Sequence, residues 1–105
     1  MNVISYLERF SLRNKTAYIT GASGLLGSEI SCALAVAGAK TIMVDIDEEK
    51  GKSFEKRLQN DGYDVYYEYF DVTNLQKIES NCRDLYNKFQ RIDVWINCAY
   101  PRTDD

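Results

Sequence analysis

Three glycines at three-residue intervals stand in Thr20-Gly21-Ala22-Ser23-Gly24-Leu25-Leu26-Gly27, between a short apolar run and an amphipathic one. Residues of this type and spacing can seat a diphosphate. Gly21 would let the chain turn tightly, Gly24 would let backbone N–H groups come close to a pyrophosphate, and Gly27 would let a helix pack close against a strand. The anion would sit at the helix N-terminus, where unpaired N–H groups and the positive end of the macrodipole attract it without any lysine. Ser23 either bonds a phosphate or completes the turn, and Leu25 and Leu26 lie in the same bend. For the motif in isolation, a plain glycine-rich connection between strand and helix is an equal reading. The surrounding chain favours the nucleotide.

The elements that must position this bend follow from the pattern around it. Asn2 to Phe10 spaces Val3, Ile4, Leu7 and Phe10 as a short leading helix packed on the domain. Thr16-Ala17-Tyr18-Ile19-Thr20 has strand chemistry, and Ile30, Leu34 and Ala37 recur at helical spacing, with Gly38 as a left-handed cap. Thr41-Ile42-Met43-Val44 is a continuous apolar run of the kind buried on both faces of a parallel sheet, and it ends at Asp45. Asp47 can cap a helix whose buried stripe is Phe54 and Leu58, ended by Gly62. Val65 to Phe70 is a third strand, closed by Asp71-Val72. Thr73 and Gln76 form a T-x-x-Q capping box before a helix in which Leu75, Ile78, Cys82, Leu85 and Phe89 make the buried stripe. Ile92 to Asn97 is the fourth strand.

This alternation, at roughly thirty residues per unit, predicts right-handed crossovers and a three-layer α/β/α arrangement around a parallel Rossmann-like sheet of strand order 3-2-1-4, truncated after the fourth strand. Ligands of such sheets sit beyond the strand C-termini, where the order reverses. Thr20, Asp45, Asp71 and Asn97 each stand at or just after such an end, and four polar residues at four equivalent places are hard to explain by packing.

The totals exclude other classes. The chain has 105 residues, 45% apolar, with one proline, which is one small domain. A net charge of -3 with interspersed signs argues against a nucleic-acid surface and against a polybasic membrane patch. Cys32, Cys82 and Cys98 are odd in number and there is no histidine, so no zinc-like constellation exists and reduced cytoplasmic thiols are the expectation. No stretch approaches the roughly 20 apolar residues needed to span a bilayer.

Taken together, Thr20-Gly21-Ala22-Ser23 with Gly27, Asp45, Asp71-Val72-Thr73 and Ile92-Asp93-Val94-Trp95-Ile96-Asn97-Cys98-Ala99 resemble the short-chain dehydrogenase/reductase family along almost the whole chain. Two departures stand out. The glycines follow T-G-x-x-G-x-x-G, the spacing of the family's extended, nucleotide-sugar branch, where the common branch has T-G-x-x-x-G-x-G. Asn97-Cys98-Ala99-Tyr100 is similar instead to the common branch's Asn-Asn-Ala-Gly, and Asn-Cys-Ala-Tyr-Pro-Arg looks like reductases of bacterial surface-sugar or flagellin modification.

The resemblance implies a nicotinamide dinucleotide bound by Gly21, Ser23, Gly24, Leu25, Leu26, Gly27, Asp45, Ile46, Asp71, Val72, Asn97, Cys98 and Ala99. Asp45, eighteen residues after Gly27, would accept hydrogen bonds from the adenosine ribose. A 2′-phosphate there would face a repulsion of about 4 kcal/mol at 4 Å and an effective dielectric near 20, so NAD is expected over NADP, with Lys40 and Lys50 flanking the site as the argument for NADP. Asp71 would meet the adenine amino group or cap the following helix, and Val72 would line the ring's face. Asn97 and Ala99 would line the nicotinamide ribose side, with local backbone groups as an equal partner for Asn97. Cys98 reads as packed rather than reactive, and Arg102 as a solvated loop residue sooner than an anion contact.

The family's proton chemistry uses a tyrosine followed four residues later by lysine, with a serine that orients the carbonyl. None of the eight tyrosines here has that lysine; Tyr63, Tyr86 and Tyr100 are followed there by Tyr67, Gln90 and Asp104. The expectation is a cofactor-binding portion that does not turn over by itself, from an oxidoreductase acting on a small alcohol or carbonyl substrate. A nucleotide-sugar epimerase or dehydratase and a noncatalytic nucleotide-sensing or interaction domain are the rivals. An uncovered fourth strand predicts self-association or marginal stability.

Overall fold

A computed structural model of the chain describes residues 3–99, with side chains from Tyr6 onward. The elements are α1 (Val3–Arg9), β1 (Thr16–Thr20), α2 (Leu25–Val36), β2 (Lys40–Asp45), α3 (Glu48–Asn60), β3 (Val65–Tyr69), α4 (Ile78–Phe89) and β4 (Val94–Asn97). The strands form one parallel sheet in the order β3-β2-β1-β4. Central β1 is buried at every position, and β2 at its four inner ones, as continuous apolar runs covered on both faces must be.

Two cores follow from the alternation of side chains across the sheet. On one face Ala17, Ile19, Met43 and Val65 pack with Leu34 and Ala35 of α2 and Phe54 and Leu58 of α3. On the other, Tyr18, Ile42, Val44 and Phe70 meet Leu85 of α4. Tyr18 stacks on Trp95 with ring centroids 5.4 Å apart, stands edge-on to Phe89, and donates its hydroxyl to the Arg91 carbonyl at 2.9 Å. The layers are therefore α2 and α3, the sheet, then α4. Among the described residues no helix is long and apolar enough to cross a membrane.

Four expectations are corrected. Leu7 and Phe10 remain 65% and 76% exposed, so the leading helix does not bury them on the domain; Leu12 does that work, packing on the core and donating its N–H to the Ala37 carbonyl at 2.8 Å. The T-x-x-Q box does not form. α4 begins only at Ile78 behind Lys77, which offers no side-chain cap, and Leu75 is left 79% exposed outside the buried stripe. The reason is local competition: the Thr73 hydroxyl and N–H both donate to Asp71 Oδ1, at 2.6 and 2.9 Å, which stabilises a turn in place of a first helical turn. Phe70 and Ile92 lie just outside β3 and β4; Phe70 is nonetheless buried, whereas Ile92 is exposed.

Candidate dinucleotide site

Register brings the strand ends together. Thr20 pairs with Val44 on one side and Asn97 on the other, and Asp45 pairs with Tyr69, so the bend after β1 lies at the middle of the sheet's C-terminal edge. Gly21 adopts φ +67°, and a Cβ there would sit 2.8 Å from the Ala99 nitrogen, so the segment leaving β4 passes directly over it. The Thr20 hydroxyl ties that segment down, accepting the N–H groups of Cys98 and Ala99, both at 3.2 Å. Thr20 is thus the anchor for Cys98 and Ala99, a role its position at a strand end suggests.

Gly27 lies where α2 rests on the bend; a Cβ there would be 1.9 Å from the Gly21 carbonyl oxygen. Within the bend, Gly24 donates to the Gly21 carbonyl at 3.1 Å and Ala22 to the Val44 carbonyl at 3.2 Å. The next three N–H groups, of Leu25, Leu26 and Gly27, open α2 and precede its first intrahelical bond, and among the described residues no capping side chain meets them. Leu25 and Leu26 are themselves exposed, as is Ile46 after β2, so apolar surface borders these donors.

Asp45 is joined to the bend. Its Oδ2 accepts the Ser23 N–H at 3.0 Å and the Ser23 hydroxyl at 2.8 Å, while Oδ1 accepts the Asp47 N–H at 3.1 Å. Ser23 thus bonds a carboxylate rather than only closing its own turn. Partial burial pushes the Asp45 carboxyl up, but the hydrogen bonds from Ser23 and Asp47 outweigh it and hold the group below its ordinary 3.8. This stabilisation is whole above about pH 4 and is lost as the pH falls through the lower pKa of the folded state. Thermal melts taken from pH 6 down to pH 3 are expected to show Asp45→Asn losing less stability on acidification than the parent chain; equal losses would mean that the Ser23–Asp45 link is not made.

Beside Ser23 a groove of about 530 Å³ is lined also by Ser28, Asp47, Glu49, Lys50, Ser53, Phe54 and Arg57. Lys50 therefore lines the groove beside Ser23, but Lys40 does not. It opens β2 at the opposite end of the sheet, near Arg13, Lys15 and Arg91. Arg57, over the Phe54 ring at 5.0 Å, reads in the sequence as one of the solvent-facing charges of its helix; its separation of seven from Lys50, two helical turns, is the signal that it shares the groove.

The remaining predicted residues divide. Asp71 is held below the ordinary carboxylate range by the Thr73 hydroxyl and N–H, and it caps a turn, not α4. Val72 is half-buried against the core beneath α4. The Asn97 side-chain carbonyl accepts the Trp95 indole N–H at 2.7 Å, a partner other than the backbone groups expected. Cys98 packs against the α2 face, as read from the sequence. Tyr100 and Arg102 lie outside the described residues.

A doubly wound parallel α/β domain, with a helix-opening glycine bend at its sheet reversal and a carboxylate at the end of β2, is the class defined here. The family model for short chain dehydrogenase matches residues 15–101, and the chain belongs to that family. It is 35% identical over 89 residues to a short chain dehydrogenase/reductase of Gibberella zeae, covering 85% of this chain and 33% of that one. Among solved structures, a gluconate 5-dehydrogenase of Burkholderia cenocepacia in complex with NADP and tartrate is 28% identical with TM-score 0.84, over 93% of this chain and 38% of that one. A putative D-mannonate oxidoreductase of Haemophilus influenza with bound NAD is 25% identical with TM-score 0.80, over 94% and 35% respectively. The chain spans about a third of the length of the curated relatives it matches.

Proposed function

We propose that this chain is the dinucleotide-binding portion of a short-chain oxidoreductase and that it takes NAD in preference to NADP. One observation carries the reading: the uncapped start of α2 and the Asp45 carboxylate flank the same bend, joined through Ser23. The residues present fit the cofactor. Gly21 and Gly27 leave no room for side chains but keep the backbone open to a pyrophosphate, which the N–H groups of Leu25, Leu26 and Gly27 would hold. Asp45 would hold the adenosine ribose. A carboxylate has about four acceptor positions, and three are taken by Ser23 and Asp47. Ribose hydroxyls would replace the Ser23 hydroxyl in kind and share the fourth with the Ile46 N–H, the weakest of the carboxylate's backbone contacts.

The groove beside Ser23 has Lys50 and Arg57 facing Asp47 and Glu49, so it offers a 2′-phosphate no net positive charge. Relatives with NAD and with NADP both exist, and Asp45 is the feature of this chain that favours NAD. Ile46 beside Asp45, and Val72 with Asp71, would border the adenine; Asn97, Cys98 and Ala99 would border the nicotinamide ribose. A bound nicotinamide supplies the hydride donor or acceptor. The chain's part is to bind and orient it toward an alcohol or carbonyl carbon in the full-length enzyme. Without a tyrosine followed four residues later by lysine, these 105 residues are expected to bind and not to turn over. The dehydrogenase and oxidoreductase relatives support hydride transfer over epimerisation or a purely sensory role. Titration with NADH, followed by its own fluorescence, should saturate; no change in emission would overturn the reading.

The free cysteines Cys32, Cys82 and Cys98 suit a reducing compartment, and we place the protein in the cytoplasm. Nothing in the charge pattern supports nucleic-acid or membrane partners. Among the described residues β4 pairs on one side only, with β1, leaving a row of backbone groups able to pair with another chain. Sedimentation of the 105-residue chain at rising concentration is expected to show dimers or larger species; a monomer throughout would contradict self-association through β4.

A further inference from the structure

Tyr67 stands half-buried in the middle of β3. Its hydroxyl does something a phenylalanine could not: it donates to the backbone carbonyl of Asp45 at 2.8 Å. That carbonyl also accepts the Phe70 N–H, at a longer 3.3 Å. Asp45 is thus gripped twice, its carboxylate from the β1 side by Ser23 and its main chain from the β3 side by Tyr67.

The grip is itself held. The ring packs against Gly51 of α3, where a Cβ would come within 2.2 Å of Tyr67 Cε1 and 2.3 Å of Cδ1, so Gly51 is the residue that admits it. The Tyr67 N–H donates to Glu55 Oε2 of the same helix at 2.6 Å. Burial, followed by the negative charges of Asp45, Glu48 and Asp47, pushes the phenol up to about 12, which keeps the proton on the donor through the neutral range.

We infer that Tyr67 is a positioning residue for ribose recognition: seated on Gly51, its hydroxyl sets the end of β2 so that the Asp45 carboxylate faces the adenosine ribose. This rests on the reading of Asp45 given above. The carboxylate's direction follows from the backbone that carries it. With the Tyr67 bond removed, the carbonyl keeps only its longer partner and the strand end can rotate the carboxylate away from the ligand.

Tyr67→Phe separates positioning from packing, because it keeps the ring and removes one hydrogen bond. Dissociation constants for NADH and NADPH are measured calorimetrically on the chain, on Tyr67→Phe and on Asp45→Asn, with thermal melts to establish folding. Tyr67→Phe is expected to weaken NADH by roughly three- to tenfold, the effect of one hydrogen bond, while NADPH changes less and the preference narrows. A purely structural tyrosine would weaken both by one factor; an unchanged ratio in Tyr67→Phe beside a narrowed one in Asp45→Asn would overturn this inference alone. An unchanged ratio in Asp45→Asn would overturn the reading of Asp45 and this inference with it. Gly51→Ala is a second route, since alanine suits the helix but its methyl must displace the ring. The same narrowing is expected there, and its absence in a folded Gly51→Ala protein with a displaced ring would also count against the inference.

Discussion

Gly27→Ala is expected to lower the thermal midpoint by about 10–20 °C and to abolish dinucleotide binding in whatever fraction still folds. The added Cβ would stand 1.9 Å from the Gly21 carbonyl oxygen, 2.7 Å from its carbon and 3.1 Å from Ala22 Cα. All three are backbone atoms, so no side chain can swing aside and α2 must move off the bend as a body. Overpacking costs about 1–3 kcal/mol where side chains can adjust, and this site belongs at the upper end of that range. For a domain of this size each kcal/mol moves the midpoint by roughly 4–8 °C. The displacement also carries away the N–H groups proposed to hold the phosphates. Gly24→Ala is the matched comparison: its Cβ would meet only the Gly21 oxygen at 3.3 Å, and its backbone is in the ordinary extended region. It should cost less than about 1 kcal/mol. Melting curves by circular dichroism check both, and equal midpoints for the two variants would refute the packing of α2 described here.

Asp45→Asn is expected to narrow the preference for NADH over NADPH by roughly a hundredfold. At about 4 Å the unscreened repulsion between a carboxylate and a 2′-phosphate is of order 4 kcal/mol. Asp45 is only partly buried, and salt and water take back a share of that, leaving roughly 2–3 kcal/mol. Asparagine keeps the size and one acceptor oxygen, so the change removes the charge together with the contacts of one oxygen, to Ser23 or to Asp47. Lys50 and Arg57 stay in the groove beside Ser23. Paired binding measurements on the two cofactors decide the matter; an unchanged ratio would remove Asp45 from the site.

The order of elements and the strand order could be read from the chain because both signals are local or topological. Buried β1 and β2 are unbroken apolar runs, and the glycines mark the ends of their helices, Gly38 and Gly62 at positive φ. The start of α4 was misread because T-x-x-Q is a pattern of residue types, whereas the outcome depended on whether Thr73 bonded forward to the helix or back to Asp71. Spacing alone cannot rank those two.

Around the bend, the sequence offers candidate residues but not their partners. Ser23 and Asp45 are twenty-two positions apart, and only the parallel pairing of β1 with β2 brings them within a hydrogen bond. The same holds for Tyr67, which reads in the sequence as one more strand-forming aromatic and reaches Asp45 through β3. Lys40 was a different matter. It opens β2, and in a parallel sheet the first residue of a strand lies at the far end from the ligand, so topology alone excludes it.

The central claim is that one bend holds a diphosphate through backbone amides while Asp45 holds the attached sugar. ADP-ribose, which carries both groups and no nicotinamide, tests it most directly. Calorimetric titration of chain shown to be folded should give saturable heat at one site per molecule, weakened in Asp45→Asn and absent in Gly27→Ala. No heat from the folded parent chain would contradict the account.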